Sequence, residues 1–291
     1  MKKGKFLFFI VIFLVTLILL PAGLAGEEAS QARLENLIEK GDKAAEKARF
    51  ETKTETQLRE ALNIYERVLD LDPDNTHSLN RLSSGYYTLA EAYLDYNEKE
   101  EGYQKGFDYG VRSLRTNTDF RKLHDRKGFS ALKDLPESIV NVEGLLWAAG
   151  NLGMLAETKG VLESLDSLPA LVEMNERVIE LDSGYLGAAA HNALGCISAE
   201  VLKQQPFTFW QVFNQGFSWK GVKSHFESAI EQTPEYLGHY FSYAYYYALN
   251  KDKEDLAKSL LEKVIQEPLG DSYPLMNKVA KEKAEILMNR F

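Results

Sequence analysis

A 34-residue helix-turn-helix period between Val222 and Pro268 constrains this chain more than any other feature. Val222, Phe226, Ala229 and Pro234 sit at the offsets that the tetratricopeptide pattern gives to a small residue, an aromatic, a small residue and a helix-ending proline. Tyr240, Tyr243, Ala244 and Tyr247 follow at the offsets of the next unit's first helix, and Leu256, Leu260 and Pro268 close that unit 34 residues after Pro234. A helix pair of this kind has one apolar face that it cannot bury alone, so the chain must stack further pairs against it. The spacing therefore predicts an all-α fold of degenerate tetratricopeptide-like helical repeats, an α-α superhelix, in one compact domain over 27–291.

Related nuclei recur upstream. Ala61, Tyr65, Val68 and Pro73 repeat the spacing of Val222 to Pro234, with Leu79, Leu82, Ser83 and Tyr86 as the next first-helix signature. Glu176-Arg177-Val178-Ile179-Glu180-Leu181-Asp182 echoes Glu66 to Asp72 at an offset of 110 residues, and His191, Leu194, Gly195 and Ser198 follow it. Glu100 to Leu114 and Pro136 to Gly160 read as helices, and no stretch alternates with the period of a strand. Thr116 to Phe129, Leu165 to Pro169 and Gln204 to Phe217 read as loops. Asp74 and Asn75 read as helix caps.

At the N-terminus, Lys2, Lys3 and Lys5 precede an apolar run from Phe6 to Leu20, then Pro21 and Gly23-Leu24-Ala25-Gly26, the three-part layout of a secretory signal over 1–26. The apolar run is shorter than the roughly 20 residues of a spanning helix, which favours a cleaved signal over an uncleaved anchor. The chain carries a formal net charge of −9, which becomes −12 once those three lysines leave. Such an acidic balance argues against a nucleic-acid partner. Cys196 is the single cysteine, set in an apolar run, and reads as a buried inert thiol. A periplasmic location follows from the signal.

The chemistry of an enzyme is not legible. There is no metal-binding histidine and carboxylate cluster, no nucleophile elbow and no intact phosphate loop, Gly216 to Gly221 followed by Val222-Lys223-Ser224 being a near miss with one residue inserted. No cofactor and no metal are expected. Three groups stand above that background. Trp147, Asn151, His191 and Asn192 lie in small apolar helical runs, either as polar residues satisfying the backbone or as anchors in a ligand cavity. Phe207, Phe209, Trp210, Phe213 and Phe217 form an aromatic insert, a lid over the core edge or a wall of a cleft. Arg112, Arg115, Arg121, Lys122, Arg126 and Lys127 form a basic group, either a solvated face or a contact for acidic surface on a neighbour.

The ordered segments Leu82-Ser83-Ser84-Gly85-Tyr86-Tyr87, Tyr103-Gln104-Lys105-Gly106, Trp147-Ala148-Ala149-Gly150-Asn151, Ala190-His191-Asn192-Ala193-Leu194-Gly195, His225-Phe226-Glu227-Ser228-Ala229-Ile230 and Asn277-Lys278-Val279-Ala280 resemble the T-component family of TRAP transporters. The resemblance implies a periplasmic, all-helical homotrimer that is not an enzyme. It implies a largely apolar cavity or pore in each protomer and work beside a substrate-binding P-component and an ion-driven permease. Many members are lipoproteins, whereas no cysteine follows the signal here, and the aromatic insert departs from the glycine-rich connector common in the family. The expected ligand is an apolar or amphipathic small molecule, with Tyr86, Trp147, Asn151, His191, Asn192, Phe209 and Trp210 as candidate contacts. In particular Trp147, His191 and Trp210 are expected to line one cavity. A peptide-holding scaffold at the cell envelope is the alternative.

The repeat register makes Ala244 the small residue against which the paired helix packs. Ala244→Leu is expected to destabilise the C-terminal repeats by about 1–3 kcal/mol, read as a fall in melting temperature; an unchanged melting temperature would mean that the register is misplaced.

Overall fold

The computed structural model describes residues 30–48 and 55–291; the signal expected over 1–26 lies outside the described residues. Helices α1 (30–48), α2 (Glu55–Leu71), α3 (Thr76–Ala92), α4 (Tyr96–Arg115) and α5 (Thr118–Lys127) open the described chain. Then come α6 (Val142–Lys159), α7 (Leu168–Asp182), α8 (Tyr185–Lys203), α9 (Phe209–Gln215), α10 (Trp219–Gln232), α11 (Leu237–Ser242), α12 (Glu254–Gln266) and α13 (Pro274–Met288). No strand occurs among the described residues. The helices form because apolar residues recur at three- and four-residue steps: Leu58, Ala61, Leu62, Tyr65, Val68 and Leu69 are the buried stripe of α2. Asn75 caps α3, its side chain accepting from the Ser78 amide at 3.0 Å.

Neighbours in sequence are neighbours in space. α2 packs on α3, α3 on α4, α4 on α6, α6 on α7, α7 on α8, α8 on α10 and α12 on α13. Close approach depends on small residues facing large ones. A Cβ at Gly41 would stand 2.7 Å from the Tyr65 ring, one at Gly85 2.6 Å from Leu62, and one at Gly195 2.9 Å from the Phe226 ring. The last contact joins α8 to α10 across the aromatic insert, so two helices of one pair meet although α9 separates them in the chain. Phe226 then stacks on Tyr243 at 5.6 Å. Ala244 is fully buried, in a cluster with Leu237, Leu261, Val264 and Ala284.

The helix containing Ala244 is not a uniform α-helix. α11 runs into a π-helical stretch over Tyr243–Ala248, and the Asn250 amide donates to the carbonyls of Tyr245 (3.2 Å) and Tyr246 (2.9 Å). The array returns on itself, because α13 reaches back to α3. Lys283 of α13 donates to Glu91 of α3 at 2.7 Å across 192 residues of sequence.

Two of the three expected loops are largely helical. Thr116 to Phe129 holds α5, whose first turn is capped by Asn117 accepting from the amides of Asp119 and Phe120. Phe120 is its single buried residue, too little apolar content to reveal the period. Gln204 to Phe217 holds the short α9, and Leu165 to Pro169 divides between a 3-10 turn and the start of α7. In the predicted helix from Pro136 to Gly160, the α-helix itself begins only at Val142, after a 3-10 turn over Glu137–Ile139.

Around α4 the packing is tightest. The Asn151 amide donates to the carbonyls of Ser83 (3.1 Å) and Trp147 (2.8 Å), and the Ser83 hydroxyl donates to the Gly106 carbonyl (2.7 Å), which ties α3, α4 and α6 together. A Cβ at Gly106 would fall 2.2 Å from Asn151 Oδ1. Gly106→Ala is therefore expected to cost about 1–3 kcal/mol. Adding Asn151→Ala vacates the space, so denaturant melts of the double variant should show a positive coupling of about 0.5 kcal/mol or more relative to the two single changes; strict additivity would contradict the contact.

Candidate functional site: a cavity closed between the first and last helices

The curled array encloses a cavity of about 930 Å³, lined from α1, α2, α3, α6, α7, α8, the α11 helix with its π-helical continuation, and α13. Three helices contribute stripes at helical spacing. Arg81, Ser84, Thr88 and Glu91 come from α3; Trp147, Gly150, Met154 and Glu157 from α6; Ala189, Asn192, Cys196 and Glu200 from α8. Each stripe ends in a glutamate near the C-terminus of its helix. Tyrosines fill much of the space between them. Tyr87 lies 5.5 Å from Trp147, Tyr236 stands edge-on to His239 at 4.7 Å, and the Tyr246 hydroxyl donates to Glu157 at 3.1 Å.

The electrostatics of the carboxylates differ. Burial works to raise Glu91, but Lys283, the Tyr103 hydroxyl and Lys99 hold its carboxyl below the usual range. Burial pushes Glu157 above the usual range, and the nearby Glu200 and Glu91 push it further against the opposing Tyr246 bond and the weaker pull of Lys283. Cys196 lines the cavity half-buried; burial first, and Glu157 next, raise its thiol so that it stays protonated.

The wall also holds strained backbone. Leu186, Gly187 and Ala188 all have left-handed φ values (45°, 71° and 56°) ahead of the regular part of α8. For the two non-glycine residues this costs about 1–2 kcal/mol each. The His239 Nε2–H donates to the Gly187 carbonyl at 2.7 Å and helps to hold the turn. Because a carbonyl only accepts, that bond fixes the tautomer and leaves Nδ1 as a bare acceptor, which has no partner.

Of the sequence-predicted contacts, Trp147 and Asn192 line this cavity. The others stand elsewhere. Tyr86 stacks on Tyr109 and donates to Glu66 at 2.9 Å; Asn151 is the junction of α3, α4 and α6; His191 faces α10, Nδ1 to Nδ1 with His225 at 3.2 Å. Phe209 and Trp210 are 55% and 68% exposed on α9, so the structure does not bring Trp147, His191 and Trp210 together. The residues missed are Tyr87, Glu91, Glu157, Tyr236, His239, Tyr246 and Lys283. A signal existed for two of them: Glu91 and Glu157 continue the inner faces of Tyr87 and Trp147 at helical steps, and a carboxylate on an apolar face is unusual. Lys283 carried no such signal, because its partner is brought to it only by closure of the array. The basic group is mostly engaged within the chain, Arg115 with Asp125 (2.6 Å), Lys127 with Asp134 (2.7 Å) and Arg112 with the Pro73 carbonyl (3.2 Å), while Arg121 and Lys122 are exposed.

The sequence model of the TRAP transporter T-component family matches residues 52–291, nearly the whole described chain. The chain belongs to the TRAP transporter T-component family. Membership gives this T-component an accessory role in a TRAP transporter, in a family not known for catalysis, and associates it with the cell envelope. No curated protein matches the sequence. Among the described residues no helix is long and apolar enough to cross a membrane, and no group of three or more His, Cys, Asp or Glu could hold a metal ion.

The buried His239 is expected to make the stability of the T-component fall in acid. Burial pushes His239 down to about 4 from an ordinary 6.5, the Gly187 bond only partly opposing it. The unfolded chain thus takes up this proton near pH 6.5 and the folded chain only near 4, so stability falls as pH drops through that window. The loss attributable to His239 is at most roughly 3 kcal/mol. Burial lowers His191 and His225 as well, in the same direction. His239→Gln, which retains a donor for Gly187, should flatten the pH dependence of the denaturation midpoint between pH 7 and pH 4.5; an unchanged slope would contradict the assignment.

Proposed function

We propose that this T-component is a non-enzymatic periplasmic accessory protein that binds an apolar or amphipathic small molecule in its central cavity and cooperates with a substrate-binding P-component. The observation that carries the reading is the cavity itself. Its volume of about 930 Å³ and its mostly apolar wall of Leu, Ala, Tyr and Trp, interrupted by charged and polar side chains, have the usual size and composition of a small-molecule site. Trp147 and Asn192 supply an aromatic surface and a polar contact inside it. The exposed cluster Phe207, Phe209, Trp210 and Phe213 on and beside α9 supports a protein partner at that surface, since contiguous exposed aromatics are characteristic of interaction sites. A peptide scaffold is the less favoured reading, because the cavity wall joins helices from both ends of the array, α1 to α3 with α13.

Two measurements test this reading. Titration of residues 27–291 with decanol, an uncharged chain, is expected to give a saturable change in tryptophan emission that is smaller in Trp147→Phe; no change in either protein would remove the cavity as a ligand site. The protein is expected to be a homotrimer, and sedimentation equilibrium at tens of micromolar should return three times the protomer mass. A monomer at that concentration would overturn the assembly.

A further inference from the structure

One carboxylate of the cavity wall, Glu157, lacks a cation partner among the described residues. Glu91, Glu157 and Glu200 terminate the inner stripes of α3, α6 and α8, and all three lie within the last turn of their helices. There the carbonyl ends of the helices add their own negative partial charge. The three carboxylates belong to one end of the cavity, since Glu200 and Glu91 both act on Glu157. The two cations of the described wall are already engaged, Lys283 with Glu91 at 2.7 Å and Arg81 with Glu143 at 3.1 Å, and Lys203 beside the wall pairs Glu200 at 2.6 Å. Glu157 has no described cation within salt-bridge distance, and its side-chain partner is the Tyr246 hydroxyl at 3.1 Å. It is nonetheless accessible from the lumen.

Independent of the carboxylates, the unpartnered polar atoms of the wall are acceptors. His239 is fully buried with a bare Nδ1. Asn175 is 1% exposed, its amide spent on the Leu171 carbonyl at 2.8 Å and its Oδ1 unpaired. The aromatic rings beside the glutamates add a third element. Tyr87, Trp147, Tyr236 and Tyr246 offer π-faces, and such faces attract ammonium groups strongly when water is excluded.

We infer that the ligand of this cavity carries a cationic head, an alkylammonium or quaternary ammonium, seated between the Glu157 carboxylate and the tyrosine rings near it, with its apolar part along the Leu- and Ala-rich wall toward Trp147. This rests on the cavity being a ligand site. A carboxylate head would meet the unpaired Glu157 and no free cation on the described wall, and an uncharged head would leave Glu157 without a counter-ion. The structure therefore ranks ligands of equal chain length by the charge of the head.

The test uses residues 27–291 and three ten-carbon probes below their micelle concentrations: decyltrimethylammonium, decanol and decanoate. Binding is read by calorimetry and by Trp147 emission at neutral pH. The ammonium probe is expected to bind about tenfold or more tighter than decanoate, the effect of one paired against one repelled charge, with decanol between them. Glu157→Gln, which keeps the shape and can still accept from Tyr246, should reduce that ratio to within about twofold. Decanoate binding as tightly as the ammonium probe would overturn the inference and leave the cavity reading standing, whereas failure of all three probes would overturn both. A preference for the ammonium probe that survives fully in Glu157→Gln would remove Glu157 as its seat. Because the ranking is measured first in the unaltered protein, the outcome does not depend on how well the variant folds.

Discussion

A buried carboxylate cannot be left without a partner, and the architecture turns on how Glu91 finds one. Its side chain is only 5% exposed on α3, where an unpaired charge would cost several kcal/mol. Lys283 meets it from α13 at 2.7 Å, and the Tyr103 hydroxyl from α4 donates to it as well. An open helical array would separate these helices by most of its length. Pairing Glu91 therefore goes with bending the array until its last helix lies against its third, and the cavity is the space left inside the bend.

What keeps that space open is the distribution of side-chain size. On the outer contacts, small residues face large ones and the helices approach closely: Gly195 takes the Phe226 ring, Gly41 takes Tyr65, and Gly106 with Gly110 lets α4 press on Asn151 and Ala148. Toward the lumen, α6 and α8 carry Gly150, Gly153, Ala189 and Ala193, whose small side chains leave volume; even a Cβ at Gly150 or Gly153 would only reach ordinary contact with Tyr87 or Leu171, at 3.6 and 3.7 Å. Repeated use of one helix pair also has an electrostatic consequence. The stripes of α3, α6 and α8 all finish in a glutamate at the carbonyl end; Lys283 pairs Glu91 and Lys203 pairs Glu200, which leaves Glu157, of the three, without a described cation partner.

Strain and irregularity gather around the same space. The left-handed turn at Leu186 to Ala188 and the π-helical stretch at Tyr243 to Ala248 both border the cavity, and His239 links the first to α11 through the Gly187 carbonyl. Conformations of this kind persist when surrounding contacts over-determine them, and π-helical turns are frequent at functional sites. The aromatic insert divides: Val212 and Phe217 pack on the core edge between α8 and α10, while Phe209, Trp210 and Phe213 of α9 are exposed on the outside.

The sequence by itself determined the helical class, the buried stripe of α2, and the small and aromatic positions through which the helices approach, because these depend on spacing within one or two neighbouring helices. It also marked Trp147 and Asn192 as residues of interest, since both interrupt runs of small residues. It did not separate them from Asn151 and His191, which sit in the same runs. A helix rotates its neighbours in sequence onto different faces, so Asn192 lines the cavity while His191 turns to His225, and Tyr87 lines it while Tyr86 turns to Tyr109. Only the tertiary structure decided which face is the lumen, because that depends on the curvature of the whole array and on a contact between Glu91 and Lys283, 192 residues apart. No local pattern encodes a distance of that kind; it arises when burial of a charge and burial of the helix faces are satisfied together.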